Sequence, residues 1–171
     1  RRSILAGRGC PFICQYCFNV RFNEMYQGKG KVIRKRDVEN VIDELKSIKK
    51  NYHPKRIHFI DDVLILNPQW TLELLARYKT EIGIPFLCNV RADLLTEPIA
   101  KALSDAGCVT VVYAAESGND YIRNTVLKRH VTDEQLFKAE ALIKKYGMSS
   151  YVQNMMGLPD ETLKMAFETM H

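Results

Sequence analysis

Strand-like and helix-like segments alternate along the whole chain, and this alternation most strongly constrains its fold. Residues 109–114 form an unbroken, mostly β-branched run, of the kind that is buried in parallel sheets. Further strand candidates cover residues 3–7, 56–60, 85–90 and 150–155, and a helical pattern follows each of them. This order predicts an α/β protein of about five βα units with right-handed crossovers. The sheet is then a whole or partial barrel, or it is doubly wound.

Capping residues mark several of the helices. Asp37 and the pair Asn67-Pro68 precede helical patterns, and Thr132 with Gln135 has the spacing of a capping box. The helix candidates cover residues 38–48, 68–82, 96–106, 122–127, 132–146 and 161–171. No linker or low-complexity tract separates these segments, so we expect residues 1–171 to form a single domain, cut from a longer chain.

Composition is typical of a globular protein. The 171 residues suffice for one core, with 46% hydrophobic and 26% charged residues. The net charge of +5 is scattered, and the basic runs at residues 34–36 and 46–50 lack interleaved aromatic residues. We therefore expect no nucleic-acid partner. No segment resembles a signal peptide or a membrane span, which favours a cytoplasmic protein without a membrane partner.

Three of the five cysteines lie in the loop after the first predicted strand. Cys10, Cys14 and Cys17 follow the spacing C-x3-C-x2-C, and thiolates this close on a loop can bind one metal centre. Clustered thiols of this kind favour a reducing compartment. Three thiolates on a 4Fe–4S cubane would leave one iron open. The alternative is a structural zinc site with an outside ligand, although zinc ligands usually come in pairs. Cys88 and Cys108 are expected to be buried core thiols.

Polar residues follow the end of nearly every predicted strand. They are Asp61 and Asp62, Asn89 and Arg91, Glu116 and Ser117, and Asn154. Because parallel α/β proteins place their sites at the carboxyl ends of the strands, we expect these residues to face the cysteine loop. Simpler roles remain open, since the aspartates can form a turn, Glu116 can cap a helix, and Arg91 can pair with Asp93 on the surface. Arg123, Lys128 and Arg129 are expected on a solvated helix face.

These motifs together resemble the radical S-adenosylmethionine (radical SAM) superfamily. Cys10, Cys14 and Cys17, with Tyr16 directly before the last cysteine, are similar to its signature. The segments at residues 8–12, 61–67, 91–95, 116–118 and 157–161 are similar, in the same order, to the branch associated with a cobalamin-binding domain. Two departures are Asp160, where Gly is common, and Ala114-Ala115, which replaces the usual Gly before Glu116.

The resemblance implies a partial TIM barrel whose last βα unit is missing from these residues. It also implies that the three thiolates hold a 4Fe–4S cluster and that SAM chelates the open iron. One electron then cleaves SAM to methionine and a 5′-deoxyadenosyl radical. A reductant such as flavodoxin or ferredoxin, and an unidentified small-molecule or peptide substrate, are implied partners. Cobalamin, in a domain outside these residues, is a further implied cofactor, and with it methyl transfer.

The resemblance carries over to particular SAM contacts. Asp61 or Asp62 matches the acidic element that accepts the SAM amino group. Glu116 and Ser117 match positions near the ribose or the methionine end. The backbone of Tyr16 and the segment with Met156 and Gly157 match the adenine contacts, and Phe12, Arg91 and Asn154 complete the implied set. The resemblance assigns no catalytic side chain. The opposing hypothesis is a non-catalytic module, either an iron–sulfur electron carrier or a zinc-binding domain.

Overall fold

Five strands pair in parallel, as the alternating sequence predicts. The structure, a computed structural model, describes residues 2–170. Its strands are β1 (Arg2–Ile4), β2 (Gly7–Arg8), β3 (Arg34–Lys35), β4 (Ile57–Phe59), β5 (Phe86–Asn89), β6 (Cys108–Glu116) and β7 (Ser149–Asn154). The main sheet has the order β1-β4-β5-β6-β7, and every neighbouring pair in it is parallel.

Helices connect the strands of the main sheet. They are α1 (Phe18–Met25), α2 (Val38–Tyr52), α3 (Pro68–Arg77), α4 (Glu97–Asp105), α5 (Asp133–Lys145) and α6 (Leu163–Glu168). Two expected caps are confirmed: Asn67 accepts a hydrogen bond from the backbone of Trp70, and Thr132 and Gln135 form a reciprocal capping box. Within residues 2–170, no helix has both the length and the hydropathy that crossing a membrane requires.

The strand order decides between the two architectures that the sequence left open. A doubly wound sheet reverses its strand order at a switch point, whereas here the strands of the main sheet follow one another without reversal. Right-handed crossovers in one direction place all helices on one face. Accordingly, α2 contacts α3, α3 contacts α4, and α4 contacts α5. The fold is a partial parallel barrel, with its concave face available for a site.

The core fills the layer between the sheet and these helices. The rings of Phe59, Tyr78 and Phe86 pack together, with the Phe59 and Phe86 centroids 5.4 Å apart. Cys88 and Cys108 are buried in the same core. The expectation that these two thiols are buried core residues is therefore confirmed.

The first predicted strand is the main error in the fold prediction. A strand over residues 3–7 was expected to run straight into the cysteine loop, but β1 ends at Ile4. The chain then pairs again as β2, antiparallel to β3. Gly9 continues this turn with a φ of 94°, a conformation that glycine adopts without strain. The sequence prediction also missed α1.

Smaller differences affect two of the predicted helices. The segment predicted at residues 122–127 is a π-helical turn over Tyr121–Val126. The last helix, predicted for residues 161–171, spans Leu163–Glu168, and its predicted final residue, His171, lies outside the described residues. Neither difference changes the order of strands that builds the concave face.

Candidate functional site

The three clustered cysteines line one cavity at the carboxyl ends of the strands. This cavity has a volume of about 280 Å³. Its wall also contains Phe12, Tyr16, Asn19, Asp62, Val63, Asn89, Val90, Arg91, Val112, Tyr113, Ala114, Glu116, Arg129 and Gln153. We call it the cysteine cavity. Residues from four strand ends therefore meet the cysteine loop, as the parallel topology predicts.

Each of the three sulfur atoms has a hydrogen-bond donor beside it. The Phe12 backbone N–H donates to Cys10. Arg91 Nη1 lies 3.6 Å from Cys14 Sγ, and Asn19 Nδ2 lies 3.6 Å from Cys17 Sγ. Burial is the largest influence on Cys10 and raises the pKa of its thiol, while the Phe12 N–H opposes that shift. Donors of this kind stabilise thiolates and tune the potentials of iron–sulfur clusters.

The donor set fits an iron–sulfur cluster. Within residues 2–170, no three His, Cys, Asp or Glu side chains converge closely enough to share a single metal ion. A cubane does not need such convergence, because each thiolate binds a different iron atom. Three thiols that line one cavity, each beside a donor, are therefore suited to a cluster that fills the space between them.

A hydrogen-bonded network of Tyr16, Glu116 and Arg129 forms part of the cavity wall. The Tyr16 hydroxyl donates to Glu116 Oε1 at 2.6 Å and accepts from Arg129 Nη1 at 2.6 Å. Glu116 Oε1 and Arg129 Nη1 are 3.5 Å apart, and both side chains are buried. Burial raises the pKa of the Tyr16 phenol far above its usual value. The Arg129 charge lowers that pKa, and the bond to Glu116 raises it further.

Unusual backbone conformations set this network in place. Glu116 has a φ of 69°, next to an irregularity in the pairing of β6 with β7. Lys128 and His130, on either side of Arg129, have φ values of 52° and 55°. Such conformations are costly for residues other than glycine and concentrate at functional sites. The backbone on both sides of the Arg129–Glu116 pair is therefore held in strained geometry around the cavity.

Arg91 links the cysteine loop to the turn that carries Arg129. Its guanidinium lies 3.7 Å from the centroid of the Phe12 ring, in cation–π geometry. It pairs with Asp93 at 2.9 Å and donates to the Arg129 backbone oxygen at 2.7 Å. The sequence left open a surface pairing of Arg91 with Asp93; the pairing is present, but Arg91 is buried and also contacts Cys14.

The two adjacent aspartates have different environments. Asp61 is buried, and its carboxylate accepts from the Ala6 backbone at 2.9 Å and from Lys35 Nζ at 3.1 Å. These bonds hold β1, β3 and β4 together, so both Asp61 oxygens already have partners. Asp62 is exposed and lines the cysteine cavity. Of the two, Asp62 is the carboxylate that a ligand in this cavity can reach.

Five residues of the implied set lie outside the cavity wall, and Asp61, with its carboxylate bound to Lys35 and the Ala6 backbone, is one of them. Ser117 is fully buried, and its hydroxyl faces that of Thr169 at 3.4 Å. Asn154, the last residue of β7, and Met156 beyond it are both exposed, and Gly157 follows with a φ of 77°. Alternation along β7 directs Gln153, rather than Asn154, to the cavity.

The sequence prediction for two arginines is wrong. Arg123 and Arg129 were expected on a solvated helix, but both are buried. Arg123 donates to the backbone oxygens of Ser117 and Val131 and pairs with Asp133 at 2.6 Å. It therefore fixes the turn that carries Arg129, while Lys128 alone is exposed as expected.

Sequence reasoning also missed Asn19 and Lys35. Asn19 is buried beside Cys17, and Lys35 binds the Asp61 carboxylate. The position of Asn19 two residues after the last cysteine was an available signal. Lys35 lay in a charged run that gave no sign of its burial.

A comparison with protein families now identifies the chain. The profile of the radical SAM superfamily matches residues 4–171, and the chain belongs to this superfamily. It is 32% identical over 161 residues to an uncharacterized methyltransferase of Pyrococcus horikoshii, covering 93% of this chain and 33% of that protein. It is 23% identical to the cytidylyl-2-hydroxyethylphosphonate methyltransferase of Streptomyces wedmorensis, covering 92% and 28% of the two chains.

Solved structures show the same fold. The radical SAM methyltransferase TsrM from Kitasatospora setae, with cobalamin and a 4Fe–4S cluster bound, superposes with a TM-score of 0.80 at 20% identity. That match covers 95% of this chain and 32% of TsrM. The cobalamin-dependent radical enzyme OxsB gives a TM-score of 0.76 at 20% identity, covering 98% and 25% of the two chains.

The chain spans between a quarter and a third of the length of these relatives. Radical SAM enzymes use a 4Fe–4S cluster and SAM. The cysteine cavity supplies the thiols and the sulfur-directed donors that such a cluster requires. The expected family and fold are therefore confirmed.

Proposed function

We propose that this domain is the core of a radical SAM enzyme that cleaves SAM reductively at a 4Fe–4S cluster. One observation carries the proposal: three cysteine thiols, each beside a hydrogen-bond donor, line one cavity at the carboxyl ends of a radical SAM barrel. Cys10, Cys14 and Cys17 would hold the cluster. When bound, the cluster and SAM together supply one-electron cleavage of the sulfonium bond and an organic radical.

Two charged residues of the cavity wall are suited to the methionine end of SAM. Asp62 is an exposed carboxylate that pairs well with an ammonium group. Arg129 is buried, and its Nε has no hydrogen-bond partner among residues 2–170. A buried donor without a partner is costly unless a ligand satisfies it. We assign Asp62 to the SAM amino group and Arg129 to its carboxylate.

The remaining contacts follow the implied set. Glu116 uses Oε1 for Tyr16, which leaves Oε2 for a ribose hydroxyl. Phe12 is held in place by the Arg91 guanidinium, and this fixes the loop between the first two cysteines. Asn154, Met156 and Gly157 would flank adenine from the end of β7, and the absence of a side chain at Gly157 permits close approach. Ser117 and Asp61, which are buried outside the cavity lining, would stabilise the backbone that carries Glu116 and Asp62.

The reaction proposed is cobalamin-dependent methyl transfer. Its support is that several relatives are named methyltransferases and that structural neighbours are described with bound cobalamin. Cobalamin would be held outside these residues, and flavodoxin or ferredoxin would supply the electron. The substrate would be a small molecule or peptide of the reducing cytoplasm, where the clustered thiols remain reduced.

The test is anaerobic reconstitution of the natural full-length protein with iron and sulfide. We expect about four irons and four sulfides per chain. With a low-potential reductant and SAM, methionine and 5′-deoxyadenosine should form.

A matched pair of cysteine variants sharpens the test. Cys14→Ala should lose the cluster and the SAM cleavage, whereas Cys108→Ala should retain both, because Cys108 is a core thiol. One zinc per chain in place of iron would overturn the proposal in favour of a structural zinc module. An intact cluster without SAM cleavage would instead identify an electron carrier.

A further inference from the structure

A second and larger cavity lies beside the cysteine cavity. It has a volume of about 530 Å³, within the range of pockets for small organic ligands. One wall is α1, and another is the loop at residues 27–34. The floor is formed by Leu5 and Ile60, which follow β1 and β4. We call it the α1 cavity.

Three aromatic residues form a row along the α1 wall. Phe18, Phe22 and Tyr26 are spaced four residues apart, so they share one face of the helix and its end. The Phe18 and Phe22 centroids are 6.4 Å apart, and those of Phe22 and Tyr26 are 4.7 Å apart. Their exposed fractions are 69%, 41% and 51%. A continuous exposed row of this size indicates a binding surface. The ring planes of Phe18 and Phe22 are inclined by 72° and those of Phe22 and Tyr26 by 43°, so an unsaturated ring can stack on one of them while the edges of the others pack around it.

Four cationic side chains complete the cavity: Arg8, Lys29, Lys31 and Arg34. None of them forms an ion pair within residues 2–170. Asp62 is the single carboxylate of this wall in the part of the chain that the structure describes. Unpaired cations around an apolar floor attract an anionic ligand and select its orientation.

The two cavities share part of their walls. Asn19 and Asp62 line both of them, so a ligand in the α1 cavity is separated from the cysteine cavity by two side chains. The loop at residues 27–34 is held close by Gly9, where an added Cβ would lie 1.8 Å from the Val32 backbone oxygen. The α1 cavity is therefore a fixed neighbour of the proposed cluster.

We propose that the α1 cavity is the substrate site and that it takes a flat, unsaturated small molecule carrying a carboxylate or phosphate group. The ring system packs against Phe18, Phe22 and Tyr26, and the anionic group pairs with Lys31 and Arg34 of the cavity lining. The role of the α1 cavity as a substrate site rests on the proposed function. The ligand chemistry itself rests only on the composition of the α1 cavity.

A pair of fluorescent probes tests the ligand chemistry on the natural full-length holoprotein. 8-Anilinonaphthalene-1-sulfonate is flat and anionic, and N-phenyl-1-naphthylamine is its uncharged counterpart. We expect the anionic probe to bind more tightly. The double change Lys31→Gln with Arg34→Gln should weaken it about tenfold, the loss expected for one charge-assisted contact. The same change should leave the uncharged probe nearly unaffected, whereas Phe22→Leu should weaken both.

Phe137→Ala provides the control, because Phe137 is exposed on α5, away from both cavities. Equal binding of the two probes, or loss of binding in Phe137→Ala, would overturn the inference. Formation of 5′-deoxyadenosine by the wild-type protein is measured separately. If SAM is cleaved but the probes do not discriminate, the inference fails and the proposed function stands. If they discriminate but SAM is not cleaved, the α1 cavity remains an anion-selective site and the proposed function fails.

Discussion

The two neighbouring cavities both contain charged side chains, but within the described residues these are buried and paired in one cavity and exposed and without ion pairs in the other. In the cysteine cavity the charged groups Arg91, Glu116 and Arg129 are buried and hydrogen-bonded to one another or to the backbone. In the α1 cavity the cationic side chains are exposed and have no ion-pair partner within residues 2–170. The charged groups of the cysteine cavity are thus held by protein partners before any ligand arrives, whereas the cations of the α1 cavity are free to pair with a ligand.

This difference has an energetic consequence. Removing one partner of a buried charged network leaves the other groups desolvated and unpaired, which costs several kcal/mol. Removing an exposed and unpaired charge changes the free energy of unfolding very little. Matched substitutions should therefore lower the free energy of unfolding much more in the preorganised cysteine cavity than in the α1 cavity.

Arg129→Ala and Arg34→Ala should differ most. Arg129 binds Tyr16 and the Ala114 backbone oxygen, so its loss should lower the free energy of unfolding by about 3–5 kcal/mol. Arg34→Ala should change it by less than about 0.5 kcal/mol. Urea denaturation followed by circular dichroism measures both values. Equal effects would mean that the network around Arg129 contributes no preorganisation.

Gly9→Ala and Gly28→Ala compare a glycine that lines the α1 cavity with one in the loop at residues 27–34. Both have positive φ, but an added Cβ meets the Val32 backbone oxygen at Gly9 and nothing within 4 Å at Gly28. We expect a loss of about 3 kcal/mol for Gly9→Ala and about 1 kcal/mol for Gly28→Ala. Thermal unfolding of the two variants checks the order. A smaller loss at Gly9 would contradict the close approach of the loop.

Tyr16→Phe and Tyr26→Phe compare one hydroxyl from each cavity. The Tyr16 hydroxyl bonds both Glu116 and Arg129, so its removal should cost about 1–2 kcal/mol of unfolding free energy. Within residues 2–170, the Tyr26 hydroxyl forms no hydrogen bond with another side chain. Its removal should therefore lower the free energy of unfolding by less than about 0.5 kcal/mol. Urea midpoints at neutral pH give both numbers.

Tyr16→Phe and Tyr26→Phe should also differ in how their stability changes in alkaline solution. Burial raises the pKa of Tyr16 above its usual value of 10.0, so the unfolded chain releases this proton first. Stability from this group is complete below pH 10 and falls as the pH rises further, by up to about 1.4 kcal/mol for each pH unit. Between pH 9.5 and 11, the free energy of unfolding of Tyr16→Phe should fall by about 1 kcal/mol less than that of wild type. The curve of Tyr26→Phe should follow that of wild type. Parallel curves for all three proteins would contradict the burial of this phenol.

Local patterns made much of this molecule predictable. The cysteine spacing, the β-branched strand at residues 109–114 and the capping box at Thr132 each depend on neighbours within a few residues. Parallel topology then placed Asp62, Arg91 and Glu116 near the cysteines, because strand ends meet at one edge. The family resemblance supplied the cofactors.

The rest depends on contacts between residues far apart in the chain. Tyr16 meets Arg129 across a separation of 113 residues and Glu116 across 100. No periodicity records such a meeting, so Arg129 was predicted to be a surface charge. The choice between Asp61 and Asp62 likewise depends on Lys35, which β3 brings to Asp61. The α1 cavity escaped prediction because α1 carries no side-chain cap and buries a single residue, Asn19.

The shared wall of Asn19 and Asp62 has a thermodynamic consequence for both cavities. If occupancy of the α1 cavity changes the affinity of the cysteine cavity by some factor, occupancy of the cysteine cavity must change the affinity of the α1 cavity by the same factor. Asp62 is the charge through which this coupling is most direct, since it faces both spaces. Two ligands that never touch would thus change each other's affinity through the Asp62 carboxylate.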